Sequence, residues 1–364
     1  MDYMKARKVT IVEVAKGAGV STATASRVLG NYGYVGKTTK ERVLSVASKL
    51  GYQPNKIARG LITGRTRTIG VIAGDIASPF YAAVLRGISD VVESHGLGLL
   101  ITNSDETLDR EVAATKLLRE NQVDGLIVSP CDVADSPHLR EAVKAGMPMA
   151  LIDRKVRGLF VDTVAVENIQ SSRDAVMRLL LAGHRRVGVI AELGPDETRL
   201  RDFLTSAENK LPEGLALLST SWQRLAGYLE AHHAFGLEID PKLIVGVAGH
   251  SATAAKNAAL AAFNDTARPT ALFCADGLMS VGAMAAITAR GLQIPSDLSL
   301  ICFDDLDWMT FVGPGIDAIA QPRRRLGRAA ARFLLARIGE AEGAPRDIRL
   351  APRIIERGSL SSIR

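Results

Sequence analysis

Four hydroxyl side chains stand close together in the segment VSTATASRVLG, residues 20 to 30: Ser21, Thr22, Thr24 and Ser26. All four are mediocre helix formers, because their hydroxyls compete for backbone hydrogen-bonding groups. Such side chains are useful when their partner lies outside the helix. A hydroxyl reaches phosphates or base edges, and Arg27 reaches guanine or a phosphate. The segment therefore predicts a helix that enters the major groove of DNA; the alternative is a small solvated bundle with a polar face.

A helix-turn-helix arrangement is predicted around this segment. Thr10 and Glu13 form a capping box before a first helix, and Gly19 permits the tight turn after it. Ser21 then caps the second helix. The inward positions of the two helices are predicted to be Ile11, Val14, Ala15, Ala18, Ala25, Val28 and Leu29. A short helix, a glycine turn and a second helix with exposed hydroxyls are typical of helix-turn-helix proteins.

A third helix completes the predicted all-α domain, which spans residues 1–54. Thr38 and Glu41 form a second capping box at its start, and Gly51 ends it. Its inward face is predicted to consist of Val43, Val46, Ala47 and Leu50. This face would close the small core under the two preceding helices.

Positive charge is concentrated at the beginning of the chain. Residues 1–68 contain 13 Lys or Arg and three acidic residues, whereas the whole chain of 364 residues has a net charge of only +6. The remainder of the chain is therefore slightly acidic. Because the electrostatic footprint of nucleic-acid binding is local, this distribution indicates a polyanionic partner for the first domain alone.

A short apolar helix is predicted within residues 55–67, which would form a hinge helix and linker. Pro54 interrupts any helix from upstream, and Asn55 is placed to cap a new one. Its apolar stripe, which includes Ala58 and Leu61, is too short to fold alone in water. We expect it to form against a twin and against DNA, where Leu61 wedges between base steps from the minor groove.

The larger part of the chain alternates apolar runs with amphipathic helices, from TIGVIAG onward and again from RRVGVIAEL onward. Continuous apolar strands that alternate with helices are typical of buried parallel sheets built from βαβ units. We therefore predict an α/β fold with two doubly wound parallel-sheet lobes of the periplasmic-binding-protein type. Neither GxGxxG nor a Walker motif follows a first strand, so no cofactor is predicted.

Polar residues follow several of these strands. In open α/β sheets ligands bind beyond the carboxyl ends of the strands, where aspartates would meet at the mouth of the two lobes. Each aspartate alone could equally cap the next helix. Together they predict a site for a small sugar, because carboxylates can bridge the adjacent hydroxyls of a sugar. These strand-end residues are Asp75, Asp153, Arg154, Asp276, Asp304 and Asp305.

Two motifs, and the spacing between them, resemble the lactose/galactose repressor (LacI/GalR) family. The motifs are VTIVEVAKGAGVSTATASRVLGN and, after it, GYQPNKIARGLITGRTRTIGVI. The resemblance covers nearly the whole chain. It implies a recognition helix that contains Thr22, Ala23 and Ser26, and a minor-groove lever at Leu61. The predicted DNA-binding residues are Thr10, Ser21, Thr22, Ala23, Thr24, Ser26, Arg27, Asn31, Tyr52, Asn55, Ala58 and Leu61.

The resemblance also implies the remaining effector contacts. It places an effector-binding arginine at Arg199, a stacking aromatic ring at Trp222, and an aromatic after the first strand at Phe80, with Ser78 nearby. Asp202 departs from the family, which usually has glycine there, so Arg199 could instead pair with Asp202 or with Glu197. The predicted effector-binding residues are Asp75, Ser78, Phe80, Asp153, Arg199, Trp222, Asp276 and Asp304.

The family resemblance further implies a homodimer that binds a palindromic double-stranded operator and is controlled by a small effector, a sugar or glycoside. It places residues 68–162 with 321–347 in an N-terminal lobe and residues 163–320 with 348–364 in a C-terminal lobe, and it places RRRLGRAAARFLLARI next to the dimer contact. Two alternatives remain open: a sugar-binding receptor of the periplasmic type, and a DNA-binding regulator whose large domain senses a protein or a non-sugar ligand.

Several classes of protein are not favoured. Three cysteines far apart indicate neither a disulfide framework nor a zinc site, and they are predicted to fill the core. The chain has neither a signal-peptide pattern nor a run long enough to span a membrane, so we expect a soluble cytoplasmic protein. GHSAT is not a nucleophile elbow, and His232 and His233 are predicted to be ordinary surface groups, so an enzyme is not predicted.

Overall fold

The computed structural model describes residues 9–30, 32–52, 65–194, 196–207, 214–264 and 268–363. The chain divides into two compact units, residues 1–68 with 122–124 and residues 69–121 with 125–364. Most of the predicted hinge segment, residues 55–64, lies outside the described residues. The predicted contacts Asn31, Asn55, Ala58 and Leu61 lie outside them as well.

The first unit contains three helices: α1 (Ile11–Ala18), α2 (Thr22–Gly30) and α3 (Lys37–Leu50). The predicted capping box of α1 is present, because Thr10 Oγ1 accepts a hydrogen bond from Glu13 N while a Glu13 carboxylate oxygen accepts one from Thr10 N at 2.7 Å. Gly19 ends α1 in the left-handed region, with φ of 64°. The three helices share a core of Val14, Ala15, Ala18, Ala25, Val28, Val43 and Ala47.

Two predictions for α3 are wrong. The helix begins at Lys37 with Gly36 as its N-cap and without a side-chain cap hydrogen bond, so Thr38 and Glu41 do not form a capping box. Thr38 already lies inside the first helical turn, whereas an N-cap residue needs non-helical backbone angles. Leu50 is 42% exposed, since the helix ends there and turns at Gly51 before the side chain reaches the core.

The second unit begins with a six-stranded sheet in the order β11-β5-β4-β3-β1-β2. Strand β11 pairs in parallel with β5, β5 with β4, β4 with β3, and β3 with β1. The elements of this first lobe are β1 (Thr68–Ala73), α4 (Pro79–Ser94), β2 (Gly98–Asn103), α5 (Leu108–Glu120), β3 (Gly125–Val128), α6 (Pro137–Lys144), β4 (Met149–Ile152), β5 (Asp162–Val166), α12 (Arg323–Ile338) and β11 (Asp347–Leu350).

A second six-stranded sheet has the order β12-β10-β9-β8-β6-β7, which repeats the connectivity of the first. Its outer strand β12 pairs antiparallel with β10, and the other four pairs of this sheet are parallel. The elements of this second lobe are α7 (Asn168–Leu181), β6 (Val187–Glu192), α8 (Glu197–Ala207), α9 (Thr220–Phe235), β7 (Ile244–Val247), α10 (Ala252–Phe263), β8 (Ala271–Cys274), α11 (Gly277–Ala289), β9 (Ser299–Phe303), β10 (Asp317–Ala320) and β12 (Arg353–Ile355).

The chain passes between the two lobes three times, after β5, after β10 and after β11. The predicted boundary between residues 162 and 163 falls inside β5, and the one between 347 and 348 falls inside β11, so both are displaced by a few residues. Both strands pair within the first sheet. The apolar pattern of a sequence predicts that a strand is present more reliably than it predicts the residue at which the strand ends.

Alternate side chains of the second sheet fill two cores, as the two-residue period of a strand requires. Phe273 and Ile301 lie on the face covered by α7 and α9, and Cys274 and Cys302 lie on the opposite face, beneath α10 and α11. Cys131 is half-buried. His232 is 2% exposed and its Nδ1 lies 2.9 Å from Tyr228 O, so its prediction as a surface group is wrong. Every helix in the described ranges is too short or too polar to cross a membrane.

Helices α4 and α12 cross where each has a glycine. A Cβ atom on Gly87 would lie 2.3 Å from Arg324 O, and one on Gly327 would lie 2.1 Å from Val84 O. Helix α9 approaches α7 at Gly227 in the same way. These glycines permit backbone contact, so α12 can lie close against α4 although it follows β10 of the other lobe.

The substitution Gly87→Ala is expected to lower the free energy of unfolding by about 1–3 kcal/mol, because the added methyl group meets backbone that has no room to move. The loss should appear even though alanine is the better helix former. Chemical denaturation measures it. Gly246→Ala is the control, since its Cβ would only touch Leu193 at 3.7 Å. Equal stability of both variants would contradict the proposed close contact.

Asp162 joins β5 to α12 and to the segment before β11. Its carboxylate accepts hydrogen bonds from Arg337 Nε at 3.0 Å and from Arg346 Nη2 at 2.6 Å, and its side chain is fully buried. Burial alone would raise the pKa of Asp162, but the hydrogen bonds from Arg346 and Arg337 outweigh it and hold the pKa well below its usual range. The ion cluster therefore fastens two returning segments to the first lobe.

Asp162→Asn is expected to lower the free energy of unfolding by about 2 kcal/mol at neutral pH, because a buried carboxylate loses its charge-assisted hydrogen bonds to two half-exposed arginines. A depressed carboxyl pKa stabilises the fold above the unfolded pKa of about 3.9, and this contribution is lost as the pH falls through the folded pKa. The difference from wild type should thus stay constant from pH 8 to 5 and shrink below about pH 4. Asp90→Asn, which removes the half-buried partner of Arg324 and Arg328, should cost much less, because both arginines are largely exposed to solvent. A difference that grows on acidification would refute this account.

Candidate functional site

The exposed face of α2 carries the predicted DNA contacts. Thr22, Ala23 and Arg27 are exposed, whereas Ala25 and Val28 point into the core of the first unit. Arg27 lies in the last turn of the helix. The face that sequence reasoning assigned to DNA is therefore solvent-facing in the structure.

Three of the four hydroxyls of this segment have partners within the first unit. Ser21 Oγ accepts a hydrogen bond from Thr24 N at 3.1 Å, as a helix cap does, and it lies 2.9 Å from Thr24 Oγ1. Ser26 Oγ lies 2.6 Å from Tyr32 Oη. Within the described residues, Thr22 has no hydrogen-bonding partner for its hydroxyl. Thr22 is therefore the hydroxyl best placed to bond DNA directly.

Two further predicted contacts serve the local fold. Thr10 completes the capping box of α1, and Tyr52 is half-buried against the core of the first unit. Tyr34, in the loop between α2 and α3, is 95% exposed and was missed because loop aromatic residues give no periodic signal. The DNA-binding roles of Thr10 and Tyr52 remain predictions.

A polar cleft lies at the carboxyl ends of the two sheets. Asp153 follows β4 and Asp304 follows β9, strands that hold the same place in the two sheet orders. Both residues have positive φ, 68° and 74°, and both are more than nine-tenths buried. Each backbone N–H donates to the adjacent strand, Asp153 N to Val164 O and Asp304 N to Ile319 O. Left-handed backbone at non-glycine residues is costly and is found mainly where function requires it.

Several buried polar atoms of this cleft have no partner among the described residues. Asp276 caps α11 by accepting from Met279 N at 3.0 Å through Oδ1, while its Oδ2 remains unpaired. Asp153 Oδ1, Gln321 Oε1 and Arg154 Nε are unpaired as well. An unsatisfied buried polar group is costly, so these atoms indicate a site that a polar ligand completes.

Arg224 of α9, which sequence reasoning missed, occupies the centre of the cleft. It is 4% exposed, donates from Nε to Asn168 Oδ1 at 3.0 Å and from Nη1 to Ala275 O at 2.7 Å, and lies 3.7 Å from the ring centre of Phe303. Burial lowers the pKa of Arg224, and the charges of Asp304, Asp153 and Asp276 act in the opposite direction. The one signal in the sequence is an arginine in an otherwise uncharged part of a helix, without an acidic residue three or four positions away.

The first lobe contributes a second charged group to the cleft. Arg154 forms an ion pair with Glu106 and donates from Nη1 to Pro130 O at 3.1 Å. Tyr81 Oη donates to Glu106 Oε1 at 3.0 Å and lies 2.7 Å from Ser129 Oγ. Burial alone would raise the pKa of Glu106, but the charge of Arg154 and the hydrogen bonds from Arg154 and Tyr81 together outweigh burial and lower the pKa. Arg154 is thus held by a carboxylate before any ligand arrives.

Burial raises the pKa of both Asp153 and Asp304, although the charge of Arg224 opposes the shift. Each also feels neighbouring acids, since Glu106 and Asp304 raise the pKa of Asp153 further. Glu192 is the last residue of β6, and its Oε2 lies 3.8 Å from His250 Nδ1. Acidic groups from both lobes therefore share this cleft.

The residues predicted after the first strand build a turn. Asp75 Oδ1 accepts from Ala77 N at 2.9 Å, and Ser78 caps α4 by accepting from Phe80 N at 3.3 Å. Phe80 is half-buried and packs edge-on against Tyr81, with ring centres 5.1 Å apart. Their effector contacts stay predictions.

The structure brings Arg199 and Trp222 together. The Arg199 guanidinium lies 4.7 Å from the ring centre of Trp222, and Phe203 packs edge-on against the same ring at 5.1 Å. Trp222 is only 3% exposed, so in this structure its ring is covered and packs in the core of the second lobe. No ion pair between Arg199 and Asp202 occurs within the described residues.

Two regions of the chain match known families. Residues 10–55 match bacterial regulatory proteins of the lacI family, and residues 176–360 match the periplasmic binding protein-like domain. The HTH-type transcriptional repressor CytR of Escherichia coli (strain K12) is 33% identical over 337 residues, which cover 91% of this chain and 92% of CytR. The chain belongs to the lacI family of bacterial regulatory proteins. The predicted family and fold class are thereby confirmed.

Solved structures resemble this lacI-family regulator along nearly its whole length. A complex of the transcriptional regulator CelR with cellobiose is 26% identical, with a TM-score of 0.68, and covers 97% of this chain and 100% of that chain. The lac repressor dimer bound to operator and the anti-inducer ONPF has a TM-score of 0.78 at 24% identity and covers 97% and 99%. At that identity the second likeness shows the fold alone.

Arg224→Met is expected to lower the free energy of unfolding by about 3–5 kcal/mol at pH 7.5, because three buried carboxylates lose their common cation. The folded pKa values of Asp153 and Asp304 would then rise further above the unfolded values. A raised carboxyl pKa destabilises the fold most above the folded pKa, so the loss should shrink as the pH falls toward 5. Denaturation at several pH values measures it.

Arg185→Met is the matched control. Arg185 also lies over an aromatic ring, 4.9 Å from the centre of Phe235, but its side chain donates only to backbone carbonyls. Its loss should be smaller and independent of pH between 5 and 7.5. The same pH dependence in both variants would contradict the role given to Arg224.

Proposed function

We propose that this lacI-family regulator is a transcriptional repressor that binds a palindromic operator as a homodimer and responds to a small, sugar-like effector. The observation that carries the proposal is the set of buried, unpaired oxygens at the strand ends, on Asp153, Asp276 and Gln321. A core without a ligand role would pair them or replace them by apolar groups. DNA binding also requires an accessible surface, and the exposed face of α2 provides it.

The relatives support each part of the proposal. CytR is a transcriptional repressor, the CelR structure holds cellobiose, and the lac repressor structure is a dimer on its operator. A periplasmic-type receptor is not favoured, because such a receptor has no use for the helix-turn-helix unit. A repressor works where the chromosome is, so we expect the protein in the cytoplasm. We assign it no enzymatic reaction.

The proposed response acts through the segments that connect the lobes. Asn168 opens α7 just after the first crossover and bonds Arg224, and Gln321 lies in the second crossover and donates to Asp304 at 2.7 Å. A ligand that completes the bonds of Arg224 and Asp304 therefore acts on both crossovers. If the two lobe arrangements differ in affinity for DNA, effector and operator change each other's affinity by the same factor.

The proposed contacts divide between the two functions. For DNA they are Thr22, Ala23 and Arg27 on the exposed face, with Ser21, Thr24 and Ser26 in support and Leu61 of the hinge segment as the minor-groove lever. For the effector they are Asp153, Asp276 and Asp304, with Arg199 and Trp222 at the side of the second lobe and Asp75, Ser78 and Phe80 at the side of the first.

Binding to DNA tests the proposal directly. A duplex selected from a random pool by the wild-type protein should contain an inverted repeat and bind two chains, as sedimentation measures. Arg27→Ala should weaken binding to that duplex by about tenfold or more, since a good contact to guanine contributes about 1–3 kcal/mol.

Lys116→Ala is the control for Arg27, because it removes a cation on α5 that is 78% exposed and belongs to the second unit. It should leave the affinity for the duplex unchanged in fluorescence anisotropy at fixed salt. Equal losses in the two variants, or one chain per duplex, would overturn the proposed mode of DNA binding.

A further inference from the structure

The unpaired atoms of the cleft are mostly acceptors. Asp153 Oδ1, Asp276 Oδ2 and Gln321 Oε1 lack a hydrogen-bond donor, whereas Arg154 Nε is the one donor identified without a hydrogen-bond acceptor among the described residues of the cleft, and it lies 3.7 Å from Asp153 Oδ2. The two aspartates and Gln321 are each more than nine-tenths buried. A ligand that satisfies this site must therefore present more donors than acceptors.

The arginines of the cleft are already engaged by the protein. Arg154 pairs with Glu106, and Arg224 donates to Asn168 and Ala275. An incoming anion would have to displace these partners. Arginine side chains that bind an anionic ligand commonly present two parallel donors to it, whereas Arg224 Nε and Nη1 each donate to a protein oxygen, and so does Arg154 Nη1.

The helix N-terminus at this cleft is also occupied. Helix α11 begins at the cleft, and helix N-termini are ready sites for phosphate groups. Asp276 caps this helix with its own carboxylate and so places a negative charge where a phosphate would bind. Ser78 and Pro79 begin α4 on the side of the first lobe, where the cap is again made by a side chain.

We infer that the effector is an uncharged, hydroxyl-rich ligand, and that the cleft rejects the phosphorylated or carboxylated form of the same sugar. The inference deepens the proposed function and rests on it. Sugar hydroxyls donate to carboxylates and remain neutral, so they satisfy Asp153, Asp276 and Gln321 without adding charge.

Calorimetric titration of the full-length protein with matched pairs tests the inference. The probes are D-glucose, glucose 6-phosphate and glucuronate; D-galactose and galacturonate; and D-ribose and ribose 5-phosphate. At neutral pH at least one neutral sugar should bind, and its acidic counterparts should bind at least 100-fold more weakly. An acidic member that binds as tightly as its neutral counterpart overturns the inference and leaves a small-molecule effector standing. If no member binds while the wild-type protein still selects its duplex, the sugar-like effector itself is refuted.

Asp276→Asn separates charge from shape. Asparagine retains the oxygen that accepts from Met279 N, so α11 stays capped while one negative charge is lost. The ratio of neutral to acidic affinity should fall at least tenfold, and an unchanged ratio overturns the role of Asp276 in charge selection. Asp240→Asn is the control, because Asp240 likewise caps a short helix, accepting from Lys242 N at 3.0 Å, and lies outside the cleft. It should leave the ratio unchanged, and thermal unfolding confirms that both variants are folded.

Discussion

One buried cation among three buried carboxylates governs the ligand-binding half of this molecule. Arg224 is held by Asn168 and Ala275 and balanced by Asp153, Asp276 and Asp304. None of these charges would be tolerated alone in a protein interior, because an isolated buried charge is very costly. The charges of the cluster are therefore tolerated only while all of them are present. A ligand can form hydrogen bonds with the oxygens that the cluster leaves unpaired. The same residues thus determine both the stability of the cleft and its recognition of a ligand.

The repeated sheet order explains why the charges converge. Each lobe places an aspartate with a left-handed backbone after its equivalent strand, Asp153 after β4 and Asp304 after β9. Parallel strands bring their carboxyl ends to one edge, and the crossovers set the two edges against each other. Asn168 and Gln321 connect this cluster to two of those crossovers. A small ligand that binds these residues would therefore act on the bonds that fix how the lobes are joined, as the proposed response at the DNA-binding unit requires.

The sequence predicted those features that depend only on residues close together in the chain. The capping box of α1, the exposed face of α2 and the aspartates at strand ends follow from residue types at short spacing, and the structure contains them. The position of the Arg224 side chain in the cleft could not be predicted in this way, because it depends on how α9 packs against α7. The burial of His232 was not predicted for the same reason. The Thr38 capping box is absent because α3 has its N-cap two residues earlier, at Gly36, and the lobe boundaries differ by a few residues. Both features depend on tertiary contacts.

The hydrogen bond between Asn168 and Arg224 joins the buried charge cluster to the first crossover. The direct test is the ratio of operator dissociation constants with and without a saturating neutral sugar effector, measured for the wild-type protein and for Asn168→Ala. If the first crossover carries the response, the wild-type ratio should differ from one by at least fivefold, and the variant should fall close to one while its affinity for operator without effector is retained. A variant that binds the sugar and keeps the full wild-type ratio would contradict the account.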